Sequence, residues 1–357
     1  MQRMRVALDA TPLTVATGGV TRYTAELARA LAGTFRDDEF WLVSDQPFEM
    51  PARMENLRRG FGPRGIAERK WWLWGVQSEM TRLNIDVFHG TDFSVPYLPL
   101  RPSVLMLHDL SPWKNPRWQP SAGRIRHRTP ILLRLGLATM VATPSEVVRK
   151  EAIERFHLEP ERVVALPLAA APHFHPVPER TASTPYFLFT GTLEPRKNVG
   201  CIIDAWRIVR QRHEVELRLA GRRREDFPPV APEPGLRVLG AVEEDALPAL
   251  YSGAVASLYP SFYEGFGLPV LEAMQCGAMV IASRDAALTE VAAGGALQIA
   301  AENVPAWAEA MEAALVRPDL RMEWRSKALK RAAEFSWTRT ATGMREIYDE
   351  ARRRFGR

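Results

Sequence analysis

Glu264 and Glu272 bracket a glycine turn in the run Tyr259-Pro-Ser-Phe-Tyr-Glu264-Gly265-Phe266-Gly267-Leu268-Pro269-Val270-Leu271-Glu272. The apolar residues before Tyr259 read as a strand, Pro269 suits a first helical position, and Gly277 suits a helix stop. A turn that opens a helix presents backbone N–H groups, and with the helix dipole such an end binds phosphate. Carboxylates beside a phosphate would repel it, so the partners that fit Glu264 and Glu272 are sugar or ribose hydroxyls. The plainer alternative has Glu272 complementing the helix dipole and Glu264 on a solvated loop. A second turn, Thr190-Gly191-Thr192-Leu193-Glu194-Pro195-Arg196-Lys197-Asn198, places two adjacent cations between a strand and a helix. Cations oppose the dipole at a helix start, so Arg196 and Lys197 read better as a diphosphate clamp than as a solvated helix end.

Weaker signals sit at other strand ends. Gly18-Gly19 is a glycine turn between the first apolar strand and the first helix, which an ordinary tight turn would explain. Leu107-His108-Asp109-Leu110 ends an apolar run with an imidazole, and His89-Gly90 ends the preceding strand and is expected to line the same cleft, by the rule that ligands bind at strand carboxyl ends. Leu239-Gly240-Ala241-Val242 and Gly221-Arg222-Arg223-Arg224 also close strands. The first is equally a plain strand-to-helix connection, and the arginines of the second equally face solvent.

The segment Glu264-Gly-Phe-Gly-Leu-Pro-Val-Leu-Glu272-Ala-Met-Gln-Cys-Gly-Ala-Met-Val-Ile-Ala-Ser resembles the E-x7-E motif of family 4 glycosyltransferases, retaining enzymes of the two-domain GT-B fold. The resemblance implies that Glu264 holds hydroxyls of the donor hexose, that Glu272 binds the ribose, and that the Gly265, Phe266, Gly267 and Leu268 backbone faces the sugar and diphosphate. The turn around Lys197 is similar to the family's G-R/T-L-x-P-R-K-N segment, which implies that Lys197 binds the diphosphate. Thr192 stands where many members carry Arg, leaving Arg196 as the candidate for a second cation. Gly18 and Gly19 resemble the donor-side glycine loop, His108 the histidine near the reacting carbon, and Val242 the residue against the nucleobase. The resemblance runs from the first glycine turn to Phe335-Ser336-Trp337. It implies transfer of a hexose from a nucleotide diphosphate-sugar to an acceptor hydroxyl, without metal or other cofactor. The turn's wording is closest to bacterial mannosyltransferases of surface-polysaccharide assembly, so GDP-mannose is the favoured donor, with UDP-sugars next.

The elements that must position these residues alternate between short apolar runs and longer helical patterns. Six candidate strands precede residue 171 (Arg5–Asp9, Phe40–Ser44, Asp86–His89, Ser103–His108, Met140–Thr143, Val163–Leu166). Six follow residue 185: Tyr186–Thr190, Glu216–Ala220, Leu236–Leu239, Val255–Tyr259, Met279–Ser283 and Leu297–Ile299. Such alternation predicts α/β structure with parallel sheets covered on both faces. Residues 171–185 hold four prolines and little periodicity, a linker composition. The expectation is two Rossmann-like domains facing across a cleft: 1–172 for the acceptor, 173–335 for the nucleotide-sugar. A helix over 336–357 is expected to pack back toward the first domain.

The 357 residues carry 47 Lys+Arg and 42 Asp+Glu, and the surplus lies wholly in residues 1–180, with 24 basic and 19 acidic side chains. From Leu110 to Ser145 there is no acid but six Lys and Arg, among them Arg124, Arg126, Arg128 and Arg134. With Trp113, Trp118 and Lys70-Trp71-Trp72-Leu73-Trp74, this stretch suits peripheral contact with an anionic membrane, or tryptophans packed beneath a helix with arginines outside. No recognition motif supports nucleic acid. A glycan or lipid-linked acceptor and a cytoplasmic setting, at the membrane's cytoplasmic face, are expected. Two cysteines exclude a disulfide framework, and no run is long and apolar enough to span a bilayer. Competing readings are an epimerase on the same scaffold, a glycosidase using paired carboxylates, and a non-catalytic transferase-like binding protein.

Overall fold

The computed structural model describes residues 3–15, 18–178 and 184–356. The chain divides into two compact units, Met1–Leu168 with Ser336–Arg357, and Ala169–Phe335. In the first, β1 (Arg5–Asp9), β2 (Glu39–Val43), β3 (Leu57–Arg59), β4 (Val87–Gly90), β5 (Ser103–Met106), β6 (Met140–Thr143) and β7 (Val163–Ala165) form one sheet ordered β3-β2-β1-β4-β5-β6-β7. In the second, β8 (Tyr186–Thr190), β9 (Glu216–Ala220), β10 (Leu236–Gly240), β11 (Ala256–Tyr259), β12 (Val280–Ser283) and β13 (Leu297–Ile299) are ordered β10-β9-β8-β11-β12-β13. Every pairing between these strands is parallel. Among the described residues the first unit therefore has seven strands, where six were expected. The extra one, β3, is Leu-Arg-Arg with only Leu57 buried, so no apolar run betrays it.

The first unit also carries α1 (Gly19–Thr34), α2 (Val76–Arg82), α3 (Ser111–Lys114), α4 (Gly123–Arg134) and α5 (Glu146–Phe156). The second carries α6 (Val199–Arg210), α7 (Leu247–Gly253), α8 (Leu268–Gln275), α9 (Ala286–Ala292), α10 (Val304–Val316) and α11 (Pro318–Ala332). Then α12 (Trp337–Arg354) returns to the first unit, where it packs against α1. Buried Arg345 donates to Asp38 at 2.6 Å, and Thr340 Oγ1 to the Pro167 carbonyl at 2.7 Å.

The boundary falls between 168 and 169 rather than between 172 and 173. The residues in question belong to the second unit because Gln275 Nε2 donates to the carbonyls of Ala171 (3.1 Å) and Phe174 (2.7 Å), and Phe174 lies edge-on to Tyr251. The core of the second unit lies between sheet and helices, with Phe187, Phe189, Trp206 and Trp307 fully buried. In each sheet the strand order reverses once, between β1 and β4 and between β8 and β11. In open parallel sheets ligands bind outside the carboxyl ends of the strands at such a reversal.

Candidate active site

Both strong motifs leave the second sheet at its reversal. The turn after β8 ends in Pro195–Lys197, and the turn after β11 leads through Glu264 into α8. The two turns are bonded together. Phe262 N donates to Arg196 O at 2.9 Å, and Asn198 Nδ2 donates to Pro260 O at 3.2 Å. Asn198 supplies the left-handed residue, φ 51°, that ends the short turn and starts α6.

This brings Lys197 Nζ to Glu264 Oε1 at 2.5 Å, while Arg196 Nη1 donates to Glu264 Oε2 at 2.9 Å and to the Tyr263 carbonyl at 2.7 Å. Behind them, Glu194 accepts from Arg196 Nη2 at 2.7 Å and from Arg224 Nη1 at 2.6 Å. Burial alone would raise the Glu264 pKa, but Lys197 and Arg196 outweigh it and hold the carboxyl down at about 2. Glu264 is thus a fixed anion at neutral pH. Asp285, the N-cap of α9, is pushed up to about 6 by burial, with the Glu264 charge adding to the rise.

Gly265 to Leu268 are buried. Gly267 has φ 97°, and a side chain there would run into Leu288, so only glycine fits this helix entrance. Glu272, one turn into α8, is 1% exposed and accepts from the Tyr251 hydroxyl at 3.1 Å. The network continues through Tyr251 to Thr190 Oγ1 (2.8 Å), from there to Tyr259 (2.9 Å), and from the Tyr259 hydroxyl to the Pro269 carbonyl (2.9 Å). It joins the ends of β8 and β11 to the entrance of α8. Thr192 is exposed beside this turn, and Val242, after β10, is half-buried.

In the first unit, Gly18 and Gly19 are exposed at the start of α1. His108 lies just past β5 and is half-buried; its Nε2 donates to the Thr91 carbonyl at 2.7 Å, and Tyr23 meets it edge-on at 4.9 Å. A carbonyl only accepts, so the proton sits on Nε2. Burial lowers the His108 pKa below its ordinary value, so the ring is neutral at neutral pH.

Residues 17–170 match the profile described as Glycosyltransferase Family 4, and residues 184–316 match that of Glycosyl transferases group 1. The chain is 32% identical over 280 residues to O-antigen chain mannosyltransferase B of Escherichia coli, covering 72% of each. The chain is a family 4 glycosyltransferase. A D-inositol 3-phosphate glycosyltransferase of Thermobispora bispora is 28% identical over 58% of this chain and 55% of the relative. Among solved structures, sucrose-phosphate synthase from Thermosynechococcus elongatus superposes with TM-score 0.74 at 19% identity, covering 98% of this chain and 99% of that one. WaaG, a glycosyltransferase involved in lipopolysaccharide biosynthesis, gives TM-score 0.68 at 17% identity over 96% and 98%. Both likenesses show the fold, two parallel-sheet α/β domains of the GT-B kind.

Two expectations change within this glycosyltransferase. Arg196 does not stand open toward a ligand, because its guanidinium is buried against Glu194, Glu264 and the Tyr263 carbonyl. Two carboxylates and a carbonyl converge on it, and that makes it a support for Glu264. His89 does not line a surface either. It is 0% exposed, with Nε2 3.2 Å from the Tyr23 hydroxyl and Nδ1 2.6 Å from that of Tyr348. Burial drives its pKa down to about 3, so it is a neutral core histidine joining β4 to α1 and α12. Sequence reading missed the roles of Glu194 and the Tyr251–Thr190–Tyr259 network. Their partners are far along the chain, and only Glu194's place within the cationic turn hinted at them.

Proposed function

We propose that this glycosyltransferase is a retaining hexosyltransferase that moves mannose from GDP-mannose to a hydroxyl of a glycan or lipid-linked acceptor in surface-polysaccharide synthesis, without a metal. The observation that carries the reading is the Lys197–Glu264 pair at the entrance of α8. A cation and a helix start there suit a departing diphosphate, and a fixed carboxylate beside them suits hexose hydroxyls. Glu272 is assigned to the ribose and Val242 to the base. Gly18, Gly19 and Thr192 are assigned to the donor, and His108, from the first unit, to the sugar near its reacting carbon. The leaving phosphate would take the acceptor proton on the face it vacates, which gives retention. Mannose follows from the sequence likeness to the O-antigen mannosyltransferase.

A glycosidase reading is disfavoured, since a carboxyl held at about 2 is a poor general acid and Glu272 bonds into a buried tyrosine network. The proposal also puts the enzyme at the cytoplasmic face of an anionic membrane. Trp113 packs inward, its Nε1 bonded to Arg126 O at 3.1 Å, but α4 keeps Arg124, His127, Ile131 and Arg134 exposed, and Trp74 is 49% exposed.

The test is transfer from GDP-mannose to a synthetic alkyl α-mannoside, with the product's anomeric configuration read by NMR. An α-linked product is expected, and Lys197→Ala should cut turnover on the order of 10²-fold. A β-linked product, wild-type turnover in Lys197→Ala, or conversion of donor without acceptor into an epimer would each reject the proposal.

A further inference from the structure

The turn that carries Glu264 is held a second time, by the segment that follows β12. Ser283 Oγ donates to the Ser261 carbonyl at 2.6 Å. Leu288, in the first turn of α9, fills the space where a side chain on Gly267 would stand. Between them, Asp285 caps α9. Its Oδ1 accepts from Ala287 N at 3.1 Å and from Leu288 N at 3.0 Å, and the same carboxylate accepts from the Glu264 backbone N–H.

An acid is a costly choice at this place. Asn or Ser caps a helix as well as Asp does, whereas burial and the Glu264 charge both work against a carboxylate at 285. What those caps lack is a second acceptor oxygen. Oδ1 is occupied by two amides of α9, which leaves Oδ2 for the Glu264 amide. Ser has one oxygen, and Asn has one oxygen and a nitrogen that only donates. A proton on Asp285 would leave lone pairs on both oxygens, so mild acid spares the contact.

We propose that Asp285 is a positioning residue for the reaction: it fixes the main chain of Glu264 and so the place where that carboxylate receives the hexose hydroxyls. Lys197 and Arg196 anchor the Glu264 side chain, and Asp285 anchors its backbone. This rests on the nucleotide-sugar reading above and adds a residue that lies beyond both motif turns.

The test combines transfer from GDP-mannose or UDP-glucose, whichever the wild type uses, with calorimetric titration of GDP and UDP and with melting curves, all on the full chain at neutral pH. Asp285→Asn keeps the α9 cap but turns a donor toward the Glu264 amide. It should cut turnover about tenfold, as a displacement well under 1 Å does, and keep affinity for the preferred nucleoside diphosphate within about twofold of wild type. Asp285→Ala should lose the same turnover and, having lost the cap too, melt roughly 2–4 °C below Asp285→Asn. Turnover and stability then separate, which a purely structural role does not allow. Turnover above about half of wild type in Asp285→Asn, an equal loss of nucleoside diphosphate affinity, or turnover that follows melting temperature through the two variants would overturn the assignment while leaving the donor reading intact. A wild-type chain that binds neither GDP nor UDP, or transfers from neither donor, would overturn both.

Discussion

Glu264→Gln removes a carboxylate shared by buried Arg196 and half-buried Lys197. Its folded-state pKa of about 2, against an ordinary 4.5, sets the size of the effect. A depressed carboxyl stabilises the fold above its unfolded pKa, and that contribution disappears as pH falls through the folded value. That difference corresponds to about 3 kcal/mol above pH 5, falling to about 1 kcal/mol at pH 3. Breaking a buried ion pair from one side costs about 3–5 kcal/mol, so the two routes agree. A loss near 3 kcal/mol lowers the melting temperature of a unit this size by roughly 6–12 °C. Differential scanning calorimetry of wild type and Glu264→Gln between pH 7 and pH 3 reads both quantities. The gap should be widest at pH 7 and should narrow steadily below pH 5. A deficit under about 1 kcal/mol at pH 7, or one that does not change with pH, would refute the pairing.

Two further outcomes are expected. His108→Ala should lose transfer on the order of 10²-fold while keeping its affinity for nucleoside diphosphate, and wild-type transfer should show no acid limb near pH 6.5, the ordinary value from which burial lowers this histidine; lost nucleotide binding or a limb there would count against the assignment. Liposome sedimentation should show binding that rises with anionic lipid and falls by at least about thirtyfold in Arg124→Glu/Arg134→Glu, at about 1 kcal/mol per cation near the surface; indifference to anionic lipid would remove the membrane contact.

The sequence by itself determined the parallel α/β class, the strands that end at Thr190 and Tyr259, and the two turns that carry Lys197 and Glu264. These are local properties, set by apolar runs, by Gly267 at a left-handed helix entrance and by a proline near the helix start. It did not yield β3, whose three residues lack an apolar pattern, and it misplaced His89, because a strand-end histidine looks the same whether a core or a surface receives it. Tertiary structure decided the pairings. Lys197 and Glu264 are 67 residues apart and meet only because β8 and β11 are neighbours at the sheet's reversal. The same neighbourhood turned Arg196 inward, since a guanidinium between two buried carboxylates is held there by charge. Which cations Glu264 meets depends on strand order, and strand order is a long-range property that no local pattern encodes.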